Sequence, residues 1–324
     1  MPKEATHGDD NNDGESLELV ISQLPKASSW LKHGLTLYQN CWLPSNIISN
    51  IISFQKQFKP KDDDINLASI PKSGTTWLKS LLFSILNRNQ HYEQHPLLTT
   101  STHHLVPSFE YSLYSNPKLH DLSTMPSPRL ISTHIPYASL PDSIEHSSKS
   151  RVVYISRNPL DVIVSMWHFA NGHPDRCSHE WSVEECVDVF CRGETVFGPY
   201  WDHVLGFWKA SLEKPEKVLF LKYEELTENT FGQAKRVAEF VGFPFSEEEE
   251  SNGVVEEIVE MCSLSNMKGL NVNKHGYVRP NLGNKLFFRK GQVGDWINHL
   301  SPSMVERVNN VMMEKLSCVS FKMS

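Results

Sequence analysis

The chain is 324 residues long, with 39% hydrophobic and 21% charged side chains, an ordinary globular balance that can bury a substantial core as one α/β domain. A formal net charge of -7 and a pI near 6.1 exclude general affinity for nucleic acid, so any anionic ligand has to be held locally. No apolar run approaches the ~18 to 20 residues of a membrane span and the N-terminus lacks a signal-peptide core; six cysteines without a CxxC spacing fit reduced thiols in the cytoplasm.

In chain order, residues 1–14 are polar, acidic and rich in glycine and asparagine, which predicts a disordered tail before a folded domain over 15–324. The first strong signal is NLASI (66–70), which runs into SIPKSGTTWLKSLL (69–82), where Trp77, Leu78, Leu81, Leu82 and then Ile85 recur at helical spacing. PRLISTHI (128–135) reads as a further strand with His134 at its end. RVVYIS (151–156) leads through Arg157 into Pro159 and LDVIVSMWHF, and KVLFLKY (217–223) leads through Tyr223 towards TFGQAKRVAEFVG.

Strand then helix, three times, predicts a central parallel sheet flanked by helices, with ligands gathering beyond the carboxyl ends of the strands. Those ends hold Lys72 to Thr76, Arg157 and Tyr223. Ser246 before EEEE (247–250) reads as the cap of an acidic helix start. KGLNVNKHGYVRPNLGNKLFF (268–288) reads as a long irregular loop of the kind that covers a site.

The segment PKSGTTW is not an ordinary P-loop, because Lys72 precedes Gly74 by two residues instead of following a glycine. In a strand-loop-helix arrangement, however, the amides of Ser73 to Trp77 lie at the positive end of a helix, where phosphate is held without a metal. Gly74 allows a close turn, the hydroxyls of Ser73, Thr75 and Thr76 add donors, and Lys72 adds a point charge. The alternative is a tight turn with a serine or threonine cap. Arg157 and Ser165 of RNPLDVIVS can reach a common anion, while singly they read as an ion-pair partner and a packing residue. Arg289, Lys290 and Gly291 form a third anion-seeking segment, suited to forked contacts and close backbone approach. Three such segments in an acidic protein imply a ligand with more than one phosphate group.

With these residues in view, the chain resembles the cytosolic sulfotransferases of the soluble plant type from about Trp42 to Trp296. PKSGTTWLKSLL is similar to the family's 5'-phosphosulfate loop, and RNPLDVIVS and RKGQVGDW to its 3'-phosphate segments. The resemblance implies 3'-phosphoadenosine 5'-phosphosulfate (PAPS) as donor and adenosine 3',5'-bisphosphate (PAP) as product. It implies Lys72, Ser73, Gly74, Thr75 and Thr76 around the 5' end and Trp77 stacked on adenine. Arg157, Ser165, Arg289, Lys290 and Gly291 would hold the 3'-phosphate, and Tyr223, Leu264 and Met267 would border the base. His134 matches the base that takes the acceptor proton, Lys72 would meet charge on the departing oxygen, and no metal is implied.

Two departures stand out. Many animal members carry a lysine two residues before the histidine, where this chain has Ser132. Ile297 and Ser301-Pro302 replace residues of the usual dimer segment, which points to a monomer. Phe109, Tyr137 and Phe169 are candidates to face an acceptor, with core packing as the alternative for each. The expected acceptor is a hydroxylated small plant metabolite of flavonoid, steroid or brassinosteroid, or hydroxyjasmonate type. Two other functions compete: a kinase using ATP and magnesium, for which Glu224 or Glu225 would hold the metal, and a nucleotide-binding protein without catalysis. The histidines lack ligand spacing for a metal.

Overall fold

The computed structural model describes residues 18–90, 92–115, 122–147 and 149–317; the expected tail at 1–14 and Cys318 lie outside them. Short antiparallel strands β1 (Lys26–Ala27), β2 (Leu35–Tyr38) and β3 (Cys41–Pro44) precede helix α1 (Ile48–Gln57). The central sheet then begins with β4 (Ile65–Ser69), followed by α2 (Thr75–Leu86), β5 (Leu130–Thr133), β6 (Arg151–Ser156) and α3 (Pro159–Gly172). Helices α4 (Val183–Cys191) and α5 (Tyr200–Glu213) lead to β7 (Val218–Lys222), α6 (Thr230–Phe240) and α7 (Val254–Met261). The hairpin β8 (Tyr277–Arg279) and β9 (Leu282–Gly283) and helix α8 (Pro302–Leu316) complete the order.

The sheet is wholly parallel, in the order β5-β4-β6-β7. Its strands are buried on both faces, which is why they read in sequence as continuous apolar runs. Alternate residues serve opposite layers. Leu67, Val153, Ile155, Leu219 and Leu221 pack with Leu78, Leu81, Leu82 and Ile85 of α2, while Ala68, Ile131, Val152, Tyr154 and Val218 join the layer containing α1. A third cluster seats α3 and α4 against α8.

The capped start at 247–250 is a helical segment Glu247–Ser251 with Ser246 and Glu249 in a reciprocal capping box. The stretch from 268 to 288 departs from the expected irregular loop. It holds a helical turn Asn271–His275, the hairpin β8–β9 and a 3₁₀ turn Asn284–Phe287. Asparagine side chains supply the missing order: Asn273 donates to Met267 O at 2.8 Å and Asn284 to Val272 O at 2.8 Å. Its glycines and asparagines mark turns between very short elements, and period-based reading cannot resolve elements of two to five residues.

At the amino ends of the strands, opposite the ligand side, Asp64 before β4 accepts from Arg129 before β5, with Nε to Oδ1 at 2.6 Å. Both are buried, Arg129 at 3% and Asp64 at 1% exposure. Breaking such a pair strands a buried charge. Arg129→Met is therefore expected to destabilise the fold by roughly 3–5 kcal/mol, read as a lowered urea midpoint.

Candidate active site

The loop after β4 turns through two left-handed residues, Lys72 at φ 72° and Gly74 at φ 106°. The first is an uncommon conformation for a non-glycine residue. The second position admits only glycine: a Cβ on Gly74 would lie 2.7 Å from Tyr223 Cδ2 and 3.0 Å from Ile155 Cδ1. Gly74 is also the N-cap of α2, and no side chain caps the helix there. That outcome removes the serine-or-threonine cap alternative and leaves first-turn amides available to an anion. Helices α3, α4 and α8 are instead capped by Asn158, Ser182 and Ser301.

The loop borders a cavity of ≈ 500 Å³ at the carboxyl ends of the sheet. Lys72, Gly74, Thr75, Thr76, Trp77, His134, Arg157, Ser165, Phe169, Tyr223, Leu264, Met267, Arg289 and Gly291 all line it. The Lys72 ammonium rests 4.1 Å from the centroid of the Phe169 ring and 5.7 Å from that of Phe287. Burial, with Arg289 and Arg157 nearby, pushes it down to about 7. Ser69 Oγ and Thr75 Oγ1 are 2.6 Å apart, tying strand to helix.

His134 stands just past β5, pinned at every polar atom but one. Its amide donates to Glu110 Oε1 at 2.8 Å, its carbonyl accepts from His203 Nε2 at 2.9 Å, and its Nδ1 lies 2.7 Å from Ser69 O. A carbonyl can only accept, so Nδ1 carries the proton and Nε2 is the basic nitrogen left for a ligand. Burial is the main cause that holds the ring neutral, down to about 3, with the Ser69 bond opposing and Lys79, His203 and Lys72 adding to it.

The other end of the cavity gathers the basic segments. Arg157 donates to Gln292 O at 2.7 Å, lies 3.6 Å from Asp161 Oδ2 and stacks its guanidinium 4.6 Å from the Tyr223 ring centroid. Asp161 also accepts from the amides of Gly294 at 2.8 Å and Trp296 at 3.1 Å, which ties α3 to the segment after Gly291. Tyr223 donates to Gly291 O at 2.7 Å, and Trp77 meets Tyr223 edge-on with centroids 6.1 Å apart. Arg289 and Lys290 both reach Asp295, Lys290 at 2.8 Å. Buried Ser73 Oγ, Arg157 Nε and Arg289 Nε have no hydrogen-bond partner among the described residues.

Four expected residues fall outside the cavity lining. Ser73 is buried in the turn, and Lys290 points to Asp295. Phe109 is fully buried and stacks on Phe54 with centroids 4.0 Å apart, because the π-helical turn Phe109–Leu113 directs it towards α1. Tyr137 packs edge-on against Phe207, 5.5 Å away. Both aromatics take the packing alternative in this structure, whereas Phe169 lines the cavity. Tyr111 takes the open position in the same turn, 6.4 Å from the His134 ring. Lys79 and His103 also border the cavity unforeseen; the usable signal was a lysine inside the apolar repeat of α2. The carboxylates considered for magnesium are engaged elsewhere: Glu224 accepts from Asn158 N at 2.8 Å and Glu225 lies 3.6 Å from Lys222.

A family profile described as "Sulfotransferase domain" matches residues 62–319. The chain belongs to the sulfotransferase family. Cytosolic sulfotransferase 15 of Arabidopsis thaliana is 44% identical, covering 97% of this chain and 90% of its own length. Cytosolic sulfotransferase 5 of the same plant is 45% identical over 93% and 94%. A crystal structure of an Arabidopsis thaliana putative steroid sulphotransferase is 39% identical, with TM-score 0.75 and full coverage of both chains. Mouse sulfotransferase SULT7A1, complexed with PAP, is 27% identical, with TM-score 0.68 over 87% of this chain and 94% of its own. This sulfotransferase is an enzyme of the plant cytosolic type, built on the expected parallel sheet. Among the described residues no helix is long and apolar enough to cross a membrane.

The depressed Lys72 gives a pH prediction with a definite sign. Near pH 8 a lysine at about 7 is mostly neutral, and an arriving phosphate raises it, so binding takes up protons; near pH 5.5 it is already charged. Calorimetry with PAP in buffers of differing ionisation enthalpy is expected to show uptake at pH 8 and little at pH 5.5, with Lys72→Met removing most of the difference.

Proposed function

We propose that this sulfotransferase moves the sulfuryl group of PAPS onto a hydroxyl of a small, largely apolar plant metabolite, with His134 as the base. The observation that carries the reading is the Ser69 carbonyl 2.7 Å from His134 Nδ1, which assigns the proton and leaves Nε2 as acceptor beside the cavity. The fit to the donor is supported by the three orphaned polar atoms Ser73 Oγ, Arg157 Nε and Arg289 Nε, by the uncapped start of α2, and by Gly291, where a Cβ would come 2.9 Å from Leu264 Cδ2.

In this reading Lys72, Ser73, Gly74, Thr75 and Thr76 hold the 5' end. Arg157, Ser165, Arg289, Lys290 and Gly291 hold the 3'-phosphate, and Trp77, Tyr223, Leu264 and Met267 border the base. When bound, PAPS supplies the transferable sulfuryl group. His134 Nε2 takes the acceptor's proton, a role for which a neutral imidazole is the required form. Lys72 neutralises charge on the oxygen that departs. Positioning and electrostatics then carry the reaction, as in phosphoryl transfer, and the scheme needs no metal.

The acceptor wall is supplied by Trp30, Leu31, Met166, Phe169 and Val196, with Tyr111 near His134. Apolar sides around one base suit a flat or alicyclic hydroxylated molecule of flavonoid, steroid, brassinosteroid or hydroxyjasmonate type. The names of the relatives support a cytoplasmic enzyme, and Ile297 with Ser301-Pro302 support a monomer, which size-exclusion chromatography reads directly.

His134→Ala is expected to lower turnover ~10²- to 10⁴-fold while calorimetric affinity for PAP stays nearly the same. An unchanged rate removes the imidazole from the mechanism, and tight binding of magnesium-ATP with none of PAP removes the donor.

A further inference from the structure

A buried lysine that the transfer scheme leaves unused stands in the same cavity. Lys79 lies one turn past Thr75 on α2, so it shares the face on which the anion loop opens. It is 4% exposed and borders the cavity together with Thr75 and His134. Among the described residues its ammonium makes one hydrogen bond, to Val106 O at 2.8 Å, which leaves two of three N–H groups for a ligand.

It has no hydrogen bond to a carboxylate among the described residues. The carboxylate that acts on it is Glu110, whose oxygens are taken by Thr133 Oγ1 and the His134 amide. Burial pushes Lys79 down to about 7. Holding a lysine out of water with a carbonyl as its hydrogen-bond partner and no carboxylate in contact is costly, and a methionine or leucine would suit a helix that buries Leu78, Leu81, Leu82 and Ile85. Ser132, two residues before His134, cannot provide a substitute, because its amide and its Oγ both donate to Pro107 O, at 2.9 and 3.1 Å.

We propose that Lys79 is the second cation of the transfer site, donating to a non-bridging oxygen of the sulfuryl group as it passes from donor to acceptor. The inference rests on the PAPS reading above. Lys79 keeps its three protons while the acceptor oxygen bonds to sulfur, the sulfur–oxygen bond to the donor phosphate breaks with its electron pair leaving on the phosphate, and His134 takes the acceptor proton. Because PAP lacks the sulfuryl group, Lys79 discriminates PAPS from PAP, which Lys72 and the 3'-phosphate residues do not.

The test compares Lys79→Met and Lys79→Gln with the wild type; glutamine keeps a donor for the Val106 carbonyl without the charge. Calorimetry without acceptor is expected to show affinity for PAPS reduced ~10-fold in both variants, with affinity for PAP within about twofold. Turnover is expected to fall ~10²-fold. Equal losses for PAPS and PAP, no loss for either, or failure of both variants to fold would each overturn the proposal and assign Lys79 to packing. A wild type that binds neither nucleotide overturns the donor reading itself. Lys79 variants that keep full rate, beside a His134→Ala variant that loses it, overturn this inference alone.

Discussion

The site depends on holding several cations around one cavity. Lys72, Lys79, Arg157 and Arg289 border one cavity, and their mutual repulsion works against the fold. Three buried carboxylates offset it. Asp161 lies beside Arg157 and accepts two amides from the chain after Gly291, Asp295 takes Arg289 and Lys290, and Glu110 sits beneath His134. Asp295 is held well below the usual carboxylate range by its hydrogen bonds to Lys290 and Arg289, which outweigh the opposing effect of burial. The protein is acidic overall, so the positive field is confined to the place where the fold builds it.

The parallel sheet makes that confinement possible. Every strand sends its carboxyl end to the same side, and the order β5-β4-β6-β7 places His134, the Lys72 loop, Arg157 and Tyr223 in adjacent positions. The hydrogen bond from His134 to Ser69 O joins the ends of β5 and β4. Tyr154 from within β6 lies 3.0 Å from His203 Nδ1, and His203 in turn donates to His134 O. Core packing thus sets the position of a ring whose only free nitrogen is the one proposed to do chemistry.

Much of this was legible because it is local. Apolar runs of five to six residues followed by helical spacing gave the strands and helices around Lys72 and Arg157, and a glycine between hydroxyls marked the anion loop. Three basic segments far apart in the chain could be joined only by resemblance or by the fold. Phe109 and Tyr137 were left between pocket and packing because register within a turn decides which aromatic meets the cavity; in the π-helical turn Phe109–Leu113 that place goes to Tyr111. Lys79 was hidden for the opposite reason: a lysine within an apolar repeat looks like a snorkelling surface residue until burial is known. Asp161 and Asp295 act through backbone amides and basic partners that sequence distance conceals.

Gly74 at the head of α2 has a broader implication. Serine, asparagine or aspartate at such a position strengthens a helix by ~1 kcal/mol, yet the left-handed backbone and the Tyr223 ring bar any of them here. On the proposed placement of the donor, its anionic end finishes this helix, which would couple heat tolerance to nucleotide occupancy. Conventional capping cannot harden this end, and on the proposed placement of the donor, thermal shift becomes a natural screen for molecules that fill it.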